Sequence, residues 1–160
     1  MKKKNYGVVW IILGVVPYVL LLALSINSIF NGINSCAFEK MYGCTEYTGL
    51  KGFAETWYLA LYIFFPVFLV LLLFIILGLS KAKLTLQNRS RLFLTFGLAP
   101  FLLALFLLIF ACMVQPEVSI SSLFRDIFMR HFFVVISEVI GIIFILIGLK
   151  GFKTKKKKDI

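Results

Sequence analysis

The stretch FFVVISEVIGIIFILIGL, residues 132–149, decides how the rest of the chain is read. Its length and apolarity suit a helix crossing a hydrocarbon layer about 30 Å thick. It nevertheless contains one ionisable side chain, Glu138. At about 100° per residue, Asp126, Arg130, His131, Ser137, Glu138, Gly141 and Gly148 fall within an arc of roughly 140°. The opposite side carries Phe132, Phe133, Ile136, Val139, Ile140, Ile143, Phe144, Leu146 and Ile147. A spanning helix of this kind turns its bulky face to lipid. Its small and polar face goes against other helices, where close backbone approach and hydrogen bonding replace the hydrophobic effect.

The other hydrophobic segments read as the shell around that stripe. Of 160 residues, 61% are hydrophobic and 16% aromatic, well above the share of a soluble domain. One domain is expected, an all-α integral membrane protein: an antiparallel four-helix transmembrane bundle with a short interfacial helix before the fourth span. The spans are expected at about 8–29, 57–79, 92–114 and 132–149. A polar loop at 31–56, a basic connection at 81–91, a loop at 115–130 and a lysine-rich tail at 150–160 join or follow them. Ser121 or Ser122 is expected to cap the interfacial helix, in which Asp126 precedes Arg130 by four residues. A cleavable signal peptide competes with the first span, but the apolar run exceeds the usual ~7–15 residues of such a peptide.

The formal net charge of +10 comes from basic residues at the ends of the apolar runs. That placement points to the lipid bilayer and anionic headgroups, not to nucleic acid. The N-terminus, residues 81–91 and the tail hold 13 of the 17 Lys and Arg residues, and the two alternate loops hold the other 4. By the positive-inside rule both termini face the cytoplasm. Lys155, Lys156, Lys157 and Lys158 are expected to meet lipid headgroups, each attracted by about 1 kcal/mol. The cell membrane is the expected location. The last four residues, KKDI, also resemble a dilysine retrieval signal, which implies the endoplasmic-reticulum membrane if the host is eukaryotic.

Small residues recur at sevenfold spacing: Gly7 and Gly14; Gly97, Ala104 and Ala111; Gly141 and Gly148. The spacing suits left-handed packing with crossings near +20°. Pro17, Pro66 and Pro100 each remove a backbone donor within a span and tend to kink it.

Glu138 lies about 10 Å inside the membrane, with no Lys or Arg at that depth on another span. It is expected to be neutral or held by hydroxyl donors. Matching depths along alternating helices names Ser25, Tyr18 and Tyr62 as partners. Two readings stand open: an ion, proton or partner-anchoring site, and a hydrogen bond that fixes helix register. His131, two turns before Glu138, reads as an interfacial histidine with its polar tip in water.

Cys36 and Cys44 share the first outer loop, and a disulfide closing nine residues would restrict the unfolded chain by ~2.5 kcal/mol. A redox pair would more usually be spaced C-x-x-C, and no second ligand pair suggests a metal. Paired cysteines in the first outer loop of a four-span chain resemble claudin-type tetraspan proteins in outline. The loop is much shorter here and no tryptophan precedes Cys36 within it, so no function is carried over.

There is no nucleophile–base pair, phosphate loop, metal-ligand helix or cofactor fingerprint in the sequence. No catalytic residue, metal or cofactor is therefore expected. The first functional expectation is a non-catalytic membrane protein that acts by binding, as an accessory, regulatory or immunity-type subunit of a membrane assembly. Its partner would be another membrane protein or a further copy of the chain. The alternative is a small transporter or channel subunit using Glu138 and the kinked helices. A membrane thiol or lipid enzyme is a third.

Overall fold

A computed structural model describes residues 6–34, 46–80, 86–130 and 132–156. Within them lie five helices: α1 (Tyr6–Asn31), α2 (Gly49–Ser80), α3 (Leu86–Val114), α4 (Ile120–Arg130) and α5 (Phe132–Lys156). Four of these, all but α4, are long and apolar enough to cross a membrane. Two short strands, β1 (Ile33–Asn34) and β2 (Glu46–Tyr47), pair antiparallel between α1 and α2, with Ile33 opposite Tyr47 and Asn34 opposite Glu46.

The helices pack as two close pairs joined in the middle. α1 packs against α2, α5 packs against α3, and α2 and α3 meet between them. Glycine sets the approach within each pair, because a bare Cα lets one backbone reach another. A Cβ placed on Gly14 would lie 2.7 Å from Leu71 O, and one on Gly78 would lie 2.7 Å from Gly7 O. In the other pair the contact is reciprocal. A Cβ on Gly97 would sit 2.8 Å from Gly141 O, and one on Gly141 would sit 2.7 Å from Gly97 O. Gly148 approaches Ser90 O and Leu94 in the same way. Both sets of partners run in opposite chain directions, so each pair is antiparallel.

The sevenfold glycine spacing thus marks helix contacts, but the α2 partners Gly52 and Gly78 had no place in it. α1 and α2 are further fastened by Tyr18, whose hydroxyl donates to Phe68 O at 2.9 Å, and by the Trp10–Phe74 ring pair. The core common to both pairs gathers Leu61, Phe65 and Phe68 of α2, Leu103 and Leu107 of α3, and Val134 of α5.

Several boundaries differ from those the sequence suggested. α2 begins at Gly49, so residues 49–56, expected in a polar loop, are its first two turns. Leu50, Phe53, Ala54 and Trp57 have helical spacing, and Gly49, at φ 60°, supplies the turn from β2. Ala54 is fully buried there. α5 continues to Lys156, past the expected end at 149, and Gly151 lies against Ser90 Oγ. α4 forms where an interfacial helix was expected, but Ser119 caps it, its Oγ accepting from Ser122 N at 3.3 Å. Of the three prolines, Pro66 accompanies a break: Phe64, two residues earlier, has φ −111° and ψ 22°. Pro66 cannot donate to Tyr62 O, which removes a rung at that point.

Candidate functional site

Glu138 is fixed in direction by its neighbours on α5. Val134, one turn before it, is fully buried, and Gly141, one turn after it, is locked against Gly97 of α3. With the same face pinned above and below, Glu138 cannot turn away from the other helices. It is 9% exposed, while Ile136, Ile140 and Ile143 are 38%, 43% and 50% exposed. The face that the helical wheel turned inward does meet other helices. One aromatic is misplaced by that wheel: Phe144, assigned to lipid, packs on Phe93 and Phe96 of α3 with ring centroids 5.6 and 5.2 Å away. Phe144 lies at the edge of the apolar arc, where an aromatic ring serves helix and lipid equally well.

Glu138 opens into a groove of about 380 Å³ between α3, α4 and α5. The walls are apolar: Phe101, Ala104, Leu105 and Leu108 from α3, with Phe124 and Phe128 from α4. Phe124 and Phe128 stack on each other at 4.3 Å, and Leu123 and Ile127 on the adjoining face of α4 are buried in the core. An amphipathic helix is thus laid across the bundle so that its aromatic rings wall the groove. Both carboxyl oxygens of Glu138 are shielded, and neither takes a hydrogen bond from a described residue.

The partners expected from depth matching are engaged elsewhere. Ser25 Oγ donates to Leu21 O at 2.6 Å, Tyr18 donates to Phe68 O, and the Tyr62 ring lies 5.4 Å from that of Tyr58. Depth along a helix does not say which helices are neighbours: α1 packs on α2, whereas α5 packs on α3. Ser137, beside Glu138 in sequence, donates back to Phe133 O at 2.6 Å. His131, Cys36, Cys44, Lys157 and Lys158 lie outside the described residues, as do the side chains of Lys155 and Lys156. Cys112 is a free thiol, partly buried beside the core.

Two features escaped the sequence reading. Glu55, placed by that reading in a loop, is a buried acid on the first turns of α2. The helical spacing of Leu50, Phe53, Ala54 and Trp57 would have found it. Near it, Ser28 Oγ donates to Ser25 O at 2.7 Å with Gly52 O at 3.0 Å, and Thr56 Oγ1 lies 3.0 Å from both Ser28 Oγ and Gly52 O. The second is Trp57, stacked on Phe110 at 5.9 Å, whose Nε1 is enclosed with no acceptor among the described residues.

A charged side chain deep in a membrane costs on the order of 2.5–3.5 kcal/mol, against about 1 kcal/mol returned by one membrane hydrogen bond. A lone hydroxyl would therefore not offset a charged Glu138, whereas a cation would. Chemically, a cationic or hydrogen-donating group would complement Glu138 at this groove. Among the described residues no three His, Cys, Asp or Glu side chains come together as a metal site. No family model, curated protein or solved structure matches the chain.

Proposed function

We propose that this chain is a non-catalytic multi-pass membrane protein that acts by binding, with the Glu138 groove as its recognition site for a membrane partner. The observation that carries this reading is that both Glu138 oxygens are buried without a donor among the described residues. A donor or cation supplied by another helix would complete the site. The apolar walls suit a transmembrane helix carrying a basic or amide side chain at the depth of Glu138. They suit it better than the polar route a transporter needs. In this reading the chain lies in the cell membrane with both termini in the cytoplasm, following the 13-to-4 distribution of basic residues. The lysine tail lies at anionic headgroups and a Cys36–Cys44 bridge closes the outer loop.

The test is co-purification from native membrane of wild type, Glu138→Gln and Glu138→Leu, with identification of what remains bound. A partner with a basic or amide residue in a span, kept by wild type and lost from Glu138→Leu, is the expected result. Equal recovery with all three would remove Glu138 from recognition. A Glu138→Gln protein that keeps its partner but loses proton-coupled flux in vesicles would favour transport instead. Orientation is checked by placing a cysteine near residue 86. An impermeant reagent applied to intact cells should leave it unlabelled.

A further inference from the structure

The seam between α2 and α3 carries a second concavity, independent of Glu138. A groove of about 580 Å³ runs along it, walled by Leu72 and Ile75 of α2 and by Ala99, Leu102, Leu103 and Phe106 of α3. At one end lies a smaller crevice of about 260 Å³ containing Ser80, Asn88, Arg91 and Leu92. The two adjoin, with Ile76, Leu79 and Thr95 lining both. An apolar groove thus ends beside a crevice that holds a guanidinium. Thr95 Oγ1 donates to Arg91 O at 2.9 Å and Ser80 Oγ donates to Leu77 O at 3.2 Å, which satisfies both hydroxyls. The Arg91 side chain is exposed and has no ion-pair partner among the described residues.

We propose that this seam binds one anionic phospholipid, with its phosphate at Arg91 and one acyl chain in the groove. Two observations select that occupant. Charge complementarity places an anion at Arg91. The apolar lining continues along α3 from Thr95 to Phe110, about 22 Å, and takes a slender apolar body. A soluble anion would use only the crevice, and a zwitterionic lipid would draw less from the guanidinium.

The test uses the full-length protein in nanodiscs of phosphatidylcholine with or without phosphatidylglycerol of the same chains, followed by native mass spectrometry of what is retained. Phosphatidylglycerol should be retained about fivefold over phosphatidylcholine, the factor for one headgroup charge. Arg91→Gln should bring that ratio to about one. Thr95→Phe should abolish retention of either lipid with Arg91 still present. Leu102→Trp obstructs the same groove from another exposed position and serves if Thr95→Phe does not fold. Glycerol 3-phosphate should not displace the lipid. Equal retention of the two lipids by wild type, an unchanged ratio in Arg91→Gln, displacement by glycerol 3-phosphate, or a protein helix found in the groove would each overturn the proposal.

Discussion

Along the α1/α2 seam the buried hydroxyls find acceptors inside the fold. Ser25 and Ser28 donate to carbonyls, Thr56 lies within hydrogen-bond distance of both Ser28 and Gly52, and Tyr18 donates across to α2. Along the α3/α5 seam the glycine contact is at least as close, since Gly97 and Gly141 each meet the other's carbonyl. Yet the acid on that seam, Glu138, has no hydrogen-bond donor among the described residues. Both seams use small residues for close packing in a setting where lipid is as apolar as leucine. They differ in that the hydroxyls of the first bond within the fold, while both oxygens of Glu138 lack a donor among the described residues. Hydroxyls satisfied by their own fold are structural. Glu138 is shielded and lines a groove, with no donor among the described residues.

The largest expected effect concerns the glycines. Gly141→Leu should abolish the folded state, because its Cβ would lie 2.7 Å from Gly97 O, a backbone atom that cannot give way. Gly14→Leu should be as severe, because its Cβ would meet Leu71 O at 2.7 Å and Ile75 N at 3.0 Å. Thermal melts of the two variants in one detergent check this. A variant that melts within error of wild type would show its seam to be the looser one.

Next in size is a Cys36–Cys44 bridge, expected to close the loop that joins α1 to α2 and to contribute ~2.5 kcal/mol. Each cysteine is two residues from the Asn34–Glu46 pair of the ribbon, which favours closure. Mass spectrometry of non-reduced peptides should find the two joined. Finding both alkylated without reduction would rule the bridge out.

Much of this was legible from residue pattern alone. Ile136, Ile140 and Ile143 separate from Glu138 on a wheel because lipid and helix neighbours demand opposite side-chain sizes. That logic finds spans and faces, but it has no lateral term. It could not tell that α5 lies beside α3 and not α1, so Ser25 and Tyr18 were matched to Glu138 by depth and bond elsewhere. The first turns of α2 were misread for another reason. Lys51 and Glu55 look like loop residues until the apolar spacing of Leu50, Phe53, Ala54 and Trp57 is given more weight. The Arg91 crevice depends on two helices meeting, which no single segment reveals.

Smaller effects sharpen the contrast between the seams. Ser28→Val and Thr56→Val should each lower stability by about 1 kcal/mol, since each hydroxyl bonds within the fold. Ile140→Ala, on the exposed side of α5, should leave the melting temperature within error.

The most direct measurement is the melting temperature of purified Glu138→Leu beside wild type, in the same detergent and without a partner. An acid that bonds to no described residue contributes no hydrogen-bond stability, so leucine in that apolar groove should melt at the same temperature or higher. A clear fall in melting temperature, restored by Glu138→Gln, would mean that Glu138 holds the helices together through a hydrogen bond, and would contradict its assignment to an outside partner.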